Sequence, residues 1–503
     1  MSKSFFAKIY AGIVAKRVYR WAINPVKIQE KTFHGLISKA KNTAFGKDYH
    51  FDQIKSYDEF KKKVPVFDYE DLLPYINRIK EGEKDVLWKG KPIYFAKTSG
   101  TTSGTKYIPI TAESMPYHIS AAKEALLLYI YHTGKAEFVD GKMIFLQGSP
   151  VLDEIKGIKT GRLSGIVAHF VPKYLQKNRL PSWETNCIDD WETKVQAIVE
   201  ETIKEDLRLI SGIPSWVQMY FEKIIEKTGK KVCEVFPNFN LFVYGGVNYE
   251  PYRKNMENLI GKEVDSIELF PASEGFFAYQ DQYPKNRTSK HSMLLLLNSG
   301  IFYEFIPAEE FYNENPTRIT IKDVKTGVNY VMILSTNAGL WAYNIGDTIA
   351  FTSLKPYRVI VTGRIKHFIS AFGEHVIAKE VEESLQKAVE GTDIKIQEFT
   401  VAPQINAPGE ELPYHEWFIE FEKEPANLKA FAKQIDEEMQ KQNIYYFDLR
   451  EGNILQNLKI SKVSKDGFKN YMKSIGKLGG QNKIPRLSND RKIADQLELI
   501  KPE

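Results

Sequence analysis

The 503-residue chain predicts an α/β fold, with a large N-terminal α/β domain followed by a small α+β domain. Three observations carry this. From about 92 to 350, short β-branched or aromatic runs alternate with longer helical ones, the order of an α/β protein. The first 90 residues lack such runs and read as mostly helical. Near 360 the character changes. After residues 359–361 and Thr362-Gly363-Arg364-Ile365-Lys366, the chain reads as a compact helix–strand unit of ordinary domain size. The boundary is placed so that 1–363 forms the large domain and 364–503 the small one.

In chain order, residues 4–15 could pass for a weak signal peptide or an amphipathic anchor. No small-residue cleavage site follows, and Lys16, Arg17, Arg20 and Trp21 continue a helical pattern to Pro25. The stretch therefore reads as a helix packed on the body, with membrane contact as the alternative. Asp52 and Ser56 are candidate helix N-caps. Strands are expected over 92–96, 142–146, 206–210, 240–244, 266–270, 300–305 and 330–335, with helices over 112–132 and 190–204. In the small domain, helices are expected over 378–389 and 427–440. Its strands are expected near 394–401, 416–421 and 453–460.

Composition sets limits. The net charge of +5 is small for this length and is spread along the chain, so nucleic acid is not an expected partner. The two cysteines, Cys187 and Cys233, form no metal or disulfide framework, which suits a reducing compartment and a cytoplasmic location. No apolar run reaches about 18 residues, and 293–297 is strand-sized, so no membrane span is expected. The histidines show no paired ligand spacing, and His118, His132 and His169 read as core or surface residues, without zinc.

The richest stretch is Thr98-Ser99-Gly100-Thr101-Thr102-Ser103-Gly104-Thr105-Lys106, nine residues with no apolar side chain. Its glycines admit close backbone approach, and its amides, hydroxyls and one ammonium suit a polyanion. It departs from the Walker A spacing, since three residues separate Gly100 from Gly104 and Lys106 follows Thr105. It is a phosphate-binding loop or a plain surface loop. Residues 107–110 behind it have strand composition.

Three further motifs fall at expected strand ends. Gly245-Gly246-Val247 ends a strand with paired glycines, so a flat ligand can lie on bare backbone; the alternative is a turn. Ser273-Glu274-Gly275 places one acid in a small-residue turn. Such an acid suits a magnesium ion shared with phosphates, or a helix dipole. Tyr343-Asn344-Ile345-Gly346-Asp347 is expected as a loop whose acid bridges vicinal hydroxyls, or is an ordinary turn aspartate.

Taken in order, the hydroxyl-rich loop, the Gly-Gly loop, the Ser-Glu-Gly turn, the Tyr-x-x-Gly-Asp stretch and the Gly-Arg-x-Lys junction resemble the adenylate-forming superfamily of acyl-CoA synthetases and luciferases. The wording is closest to the auxin-responsive-promoter family of acyl-acid amido synthetases. The tail Gly480-Gln481-Asn482-Lys483-Ile484-Pro485-Arg486 adds to the likeness, although Asn482 stands where plant members usually carry an aromatic residue. With no plant-type extension, the chain looks like a bacterial member.

The resemblance implies mixed sheets of the adenylate-forming type and a mobile small domain. It implies ATP and Mg²⁺ as cofactors, and a carboxylic acid and an amine or amino acid as substrates. Ser99, Gly100, Thr101, Thr102, Ser103, Gly104 and Lys106 would hold the ATP phosphates. Gly245, Gly246 and Val247 would lie by the adenine. Ser273 would lie near the nucleotide, with Glu274 as the Mg²⁺ ligand. Tyr343 would face the nucleoside, Asp347 the ribose hydroxyls, and Arg364 the ribose or the hinge, with Lys366 near the pivot. Lys483 would be catalytic, reaching the α-phosphate, or structural. The implied reaction is adenylation of an acid followed by amide formation. A CoA ligase and a non-catalytic nucleotide-binding protein are the rivals. An acyl pocket lined by Tyr117, Leu127, Tyr131, Trp216 and Tyr220 is one reading of those residues, and core packing is the other. The sequence does not fix the oligomeric state.

Overall fold

A computed structural model describes residues 3–98, 106–171, 176–188, 190–246, 249–283, 292–365, 368–369, 376–404, 412–451, 455–479, 483–488 and 490–500. The chain divides into two compact units, Met1–Val247 with Leu259–Val361, and Asn248–Asn258 with Thr362–Glu503.

In the first unit the N-terminal part is helical, over Lys3–Ala22, Pro25–Ala40, Ala44–Asp48, Tyr57–Lys63 and Tyr69–Lys80. Ser56 caps Tyr57–Lys63 as expected, in a reciprocal box with Glu59. Asp52 does not cap a helix. It lies inside the single 3-10 turn Phe51–Gln53, and the acidic cap falls on Asp68, whose carboxylate accepts from the amides of Glu70 and Asp71.

A twelve-stranded mixed sheet forms the body. One half is parallel, in the spatial order Arg179–Leu180, Lys142–Phe145, Leu207–Ser211, Leu241–Gly245, Asp265–Ala272. Parallel pairing needs crossovers, and the helices Trp191–Thr202 and Pro214–Thr228 supply two of them. Leu241, Phe242, Val243 and Tyr244 are all buried, the continuous apolar run of a strand covered on both faces. The other half is built largely of antiparallel pairs. It continues through Gly275–Gln280, Met293–Leu295, Tyr357–Arg364, Tyr343–Leu354, Asn329–Thr336, Ile301–Pro307 and Ile319–Thr320. Each strand expected in this unit is present, with ends moved by at most two residues.

The long helix Met115–Thr133 and the N-terminal helix share a core with this sheet that includes Val14, Val18, Leu128, Leu241 and Ile267. A second sheet has four strands in the order Lys106–Ile110, Tyr94–Thr98, Ile158–Gly161, Asp153–Ile155.

Within Met115–Thr133, His118 is buried, its Nδ1 has no hydrogen-bond partner among the described residues, and burial pushes its pKa down to about 4. A depressed histidine stabilises the fold while neutral, and that contribution fades as pH falls from the unfolded value near 6.5 toward the folded one. Stability is expected to drop by about 2 kcal/mol between pH 7.5 and 5 from this group alone. Hydrogen exchange of the amides in Met115–Thr133 at the two pH values checks this, and His118→Phe should flatten the difference.

The second unit holds a three-stranded sheet. Lys395–Gln404 and Tyr414–Lys423 are antiparallel, and Lys459–Lys462 runs parallel to the latter. Phe399, Trp417, Ile419, Leu385 and Phe431 form its core with the helices Ala378–Val389 and Leu428–Gln442. The strand expected over 453–460 begins only at Lys459. Leu455 and Leu458 are buried, but the Leu455 amide turns back to the Leu449 carbonyl at 3.1 Å. Apolar residues there mark a core-facing loop, not a strand; 452–454 lie outside the described residues.

Candidate active site

Thr98 pairs with Lys106 in the antiparallel ladder of Tyr94–Thr98 and Lys106–Ile110. The hydroxyl-rich stretch therefore joins two paired strands, and the ladder fixes both its ends. Ser99, Gly100, Thr101, Thr102, Ser103 and Gly104 themselves lie outside the described residues. Lys106 opens the second strand, its Nζ 5.2 Å from the centroid of the Tyr69 ring, a cation–π distance. The Tyr69 hydroxyl accepts from the Tyr107 amide at 2.8 Å. Burial raises the pKa of this phenol, against the lowering effect of that bond.

Gly245 and Gly246 end the strand Leu241–Gly245. A Cβ at Gly245 would lie 2.6 Å from the Leu269 carbonyl oxygen on the neighbouring strand, and Gly246 takes φ +79°. The pair is thus set by close approach at one position and left-handed backbone at the next. Val247 lies outside the described residues. Gly245 is in register with Leu269, so the neighbouring parallel strand Asp265–Ala272 ends at the same side. Ser273 and Glu274 follow it as a two-residue hairpin turn closed by the Ala272–Gly275 pair. Ser273 is buried and Glu274 half-buried. The two motifs thus come together at the carboxyl ends of adjacent parallel strands, where ligands of open α/β sheets bind.

Gly245→Ala is expected to cost about 1–3 kcal/mol, because the obstructing atom belongs to backbone. Gly275→Ala should cost less, since the nearest atom there is the Ile301 Cδ1 methyl. Thermal melting of the two variants checks the order, and equal melting would remove the close-approach explanation.

Tyr343 and Asp347 are not in a loop. They belong to the strand Tyr343–Leu354. Val331 pairs with Thr348 and Ile333 with Asn344, so Ile345, Gly346 and Asp347 bulge out opposite Met332. Gly346 makes this possible with φ +84°, and its amide donates to Asn344 Oδ1 at 2.8 Å. The Tyr-x-x-Gly-Asp spacing suggests a loop because a bulge glycine and a turn glycine look alike in sequence. Tyr343 is buried and bridges to Phe67; the Phe67 amide donates to the Ala342 carbonyl at 3.0 Å and the Asn344 amide to the Phe67 carbonyl at 2.8 Å. Residues 67–69 therefore hold both Tyr343 and the root of the hydroxyl-rich loop, through Phe67 and Tyr69 respectively. Sequence reading missed that segment.

Arg364 closes the strand Tyr357–Arg364, and Lys366 lies outside the described residues. Lys483 is exposed and immediately precedes a well-anchored segment of the second unit. The Val401 amide donates to the Arg486 carbonyl at 3.0 Å, and the Ser488 amide to the Val401 carbonyl at 2.9 Å. Arg486 is the residue the sequence reading passed over. Its guanidinium is buried and meets Glu382 at 3.1 Å, the Glu398 carboxylate, and the Tyr252 hydroxyl at 2.6 Å. Its planar face lies 4.7 Å from the Phe399 ring centroid. Burial works against its charge, but Glu398, Tyr252 and Glu382 outweigh that and hold its pKa well above the ordinary value. The only sequence signal was its place after a proline in the tail motif.

Of the residues considered for an acyl pocket, Tyr220 and Leu127 are buried. The Tyr220 hydroxyl bonds Thr202 at 2.7 Å, the position of a satisfied core tyrosine. Tyr131 is 49% exposed. Trp216 is buried and Tyr117 half-buried. His132 Nε2 lies 2.6 Å from the Tyr19 hydroxyl and His169 Nε2 2.9 Å from the Pro150 carbonyl.

The mixed sheet with its separate second unit is the fold of the adenylate-forming class. The chain belongs to the GH3 family: residues 14–178, 294–364 and 377–492 match the GH3 family N-terminal, central and C-terminal domains. Jasmonoyl–L-amino acid synthetase JAR4 of Nicotiana attenuata is 22% identical over 92% of this chain and 90% of that protein. The GH3.15 acyl acid amido synthetase structure superimposes with a TM-score of 0.80 at 15% identity, covering 97% of this chain and 96% of that one. A 2-hydroxyisobutyryl-CoA ligase in the postadenylation state, in complex with 2-HIB-AMP, superimposes with a TM-score of 0.56 at 12% identity, covering 98% and 91%.

Proposed function

We propose that this chain adenylates a carboxylic acid with ATP and transfers the acyl group to an amine, an amino acid in the simplest case, releasing pyrophosphate and AMP. The observation that carries the reading is that Gly245-Gly246 and Ser273-Glu274 follow the carboxyl ends of two adjacent parallel strands. The GH3-family match favours an amine acceptor over coenzyme A, since the relative matched along nearly its whole length is named an amino acid synthetase.

In this reading an acid oxygen attacks the α-phosphorus of ATP in line and pyrophosphate leaves. The amine then attacks the acyl carbon and AMP leaves. No side-chain nucleophile is required, so the protein contributes positioning and electrostatics. Lys106 and the loop Ser99 to Gly104 bear on the phosphates as negative charge grows on the leaving group. Gly245, Gly246 and Val247 take the adenine. Asp347 receives the ribose hydroxyls and Tyr343 and Ser273 pack by the nucleotide, with Arg364 a second ribose contact. Lys483 reaches the reacting carboxylate. The small domain, drawn as 364–503, turns near Arg364 between the half-reactions.

Among the described residues there is no cluster of three or more His, Cys, Asp or Glu side chains able to cage a metal. One half-buried carboxylate, Glu274, fits Mg²⁺, which takes one or two protein carboxylates and fills the rest of its shell with phosphate and water. Bound there, Mg²⁺ would supply charge neutralisation at the phosphates. No helix among the described residues is long and apolar enough to span a membrane. The free cysteines Cys187 and Cys233 suit the cytoplasm, where we place the protein.

The test is pyrophosphate release from MgATP across aryl, indolyl, fatty and keto acids, with and without amino acids. Acid-dependent release that rises with an amino acid, with an amide product by mass spectrometry, is expected. Stimulation by coenzyme A alone would move the protein to the thioester-forming ligases. Neither turnover nor ATP binding would leave a nucleotide-free scaffold.

A further inference from the structure

The N-terminal helix Lys3–Ala22 has two apolar faces. The inner one is built of small residues, with Ala11, Val14, Ala15, Val18 and Ala22 all buried. Small side chains let the helix lie close to the body. Arg17 fastens it to Glu124 at 2.8 Å, and the Tyr19 hydroxyl reaches His132 at 2.6 Å. The opposite face carries large residues in solvent: Phe5 is 48%, Phe6 59%, Ile9 54%, Tyr10 42% and Ile13 62% exposed. At helical spacing these five fall on one side over about 12 Å of axis. A contiguous patch of this kind, unlike scattered surface apolar residues, marks an interaction site.

The charge of the helix says what it meets. Its twenty residues include Lys3, Lys8, Lys16, Arg17 and Arg20 and no acid. Lys16 and Arg20 lie on the outward side, one to two turns beyond Ile13, and are exposed. Among the described residues they make no ion pair, whereas Lys8 lies 3.9 Å from Glu137 and Lys3 donates to Asn178 at 3.0 Å. The outward stripe thus runs from aromatic and aliphatic to basic. A second copy of the same face brings further cations and no acid, so it leaves these charges unpaired. An anionic bilayer satisfies both halves, taking the rings below the headgroups and the cations among the phosphates.

We propose that this face docks the protein on anionic lipid bilayers, with the helix axis in the plane of the interface and the inner face remaining on the body. The inference is independent of the ligase reading.

The experiment is co-sedimentation of the full chain with vesicles of phosphatidylcholine alone, or of phosphatidylcholine with phosphatidylglycerol, at low and high salt. Binding is expected on the anionic vesicles, weakening with salt and several-fold lower on neutral ones. The double variant Phe6→Ser/Ile13→Ser should lower binding by about tenfold or more. Lys16→Gln/Arg20→Gln should erase the preference for anionic lipid. All four positions are solvent-exposed, and circular dichroism would check that the variants fold. No binding to anionic vesicles overturns the proposal. So does binding that survives in both variants. A dimer seen by sedimentation equilibrium, lost in Phe6→Ser/Ile13→Ser and unaccompanied by vesicle binding, would assign the face to a second copy instead.

Discussion

Glu274→Gln is expected to lower acid-dependent pyrophosphate release by about 10²–10³-fold, the usual cost of removing one group aimed at charge that develops in a transition state. The turn makes this a clean test. Glu274 occupies one of two positions between the paired residues Ala272 and Gly275, and Gln has nearly the same shape. The hairpin therefore keeps its length and side-chain shape and gives up a negative charge. The melting temperature should move little, while half-saturating Mg²⁺ should rise, because the ion loses its one proposed carboxylate ligand. Wild-type turnover at ordinary Mg²⁺ would remove Glu274 from the site. Reduced turnover with an unchanged Mg²⁺ dependence would make it a positioning residue of the turn. Asp347→Ala should act differently, raising the KM for ATP through lost ribose contact, and the comparison separates the two assigned roles.

Much of the first unit's framework is legible in sequence because its strands are apolar and bounded by breakers. The run Leu241 to Tyr244 announces a doubly covered strand, and Ser56 with Glu59 announces a helix start. The motif positions are legible for a second reason. The hydroxyl-rich, Gly-Gly and Ser-Glu motifs depart from core composition at strand ends, where folding alone does not demand glycine or acid. The failures are equally physical. A glycine at positive φ serves turns and bulges alike, so Gly346 looked like a loop when it lets three residues bulge from a ladder. Asp52 looks like a cap because an aspartate before a helical pattern is ambiguous by a few residues, and Ser56 takes the cap of the helix that follows. Leu455 and Leu458 carried strand-like spacing but face the core from a loop. Contacts distant in sequence left no trace. Nothing local to residues 67–69 shows that they hold Tyr343 and Tyr107, and nothing in the tail shows what surrounds Arg486.

Arg486 carries the second large expected effect. Its guanidinium joins the strand Lys395–Gln404 through Glu398 and the Phe399 carbonyl, the helix Ala378–Val389 through Glu382, and Tyr252. All these partners belong to the second unit. Arg486→Met removes the cation and leaves two largely buried carboxylates facing each other, which should cost about 3–5 kcal/mol. Arg486→Lys should recover only part of that, because one ammonium cannot replace a planar fork serving several acceptors while stacking on an aromatic ring. The reading is hydrogen exchange of residues 395–404 and 484–488, since a two-unit chain does not unfold in one step. Faster exchange confined to the second unit is expected, and protection equal to wild type would show that the carboxylates relax to water. Adding Glu382→Gln and Glu398→Gln to Arg486→Met should restore most of the protection, because the cost comes from uncompensated charge and not from lost volume. Arg486→Lys then bears on Lys483. If the anchored segment positions that lysine for adenylation, kcat should fall at temperatures where the unit is folded, with the KM for ATP little changed. A fall in protection with kcat intact would make Arg486 a structural clamp and leave Lys483 outside the chemistry.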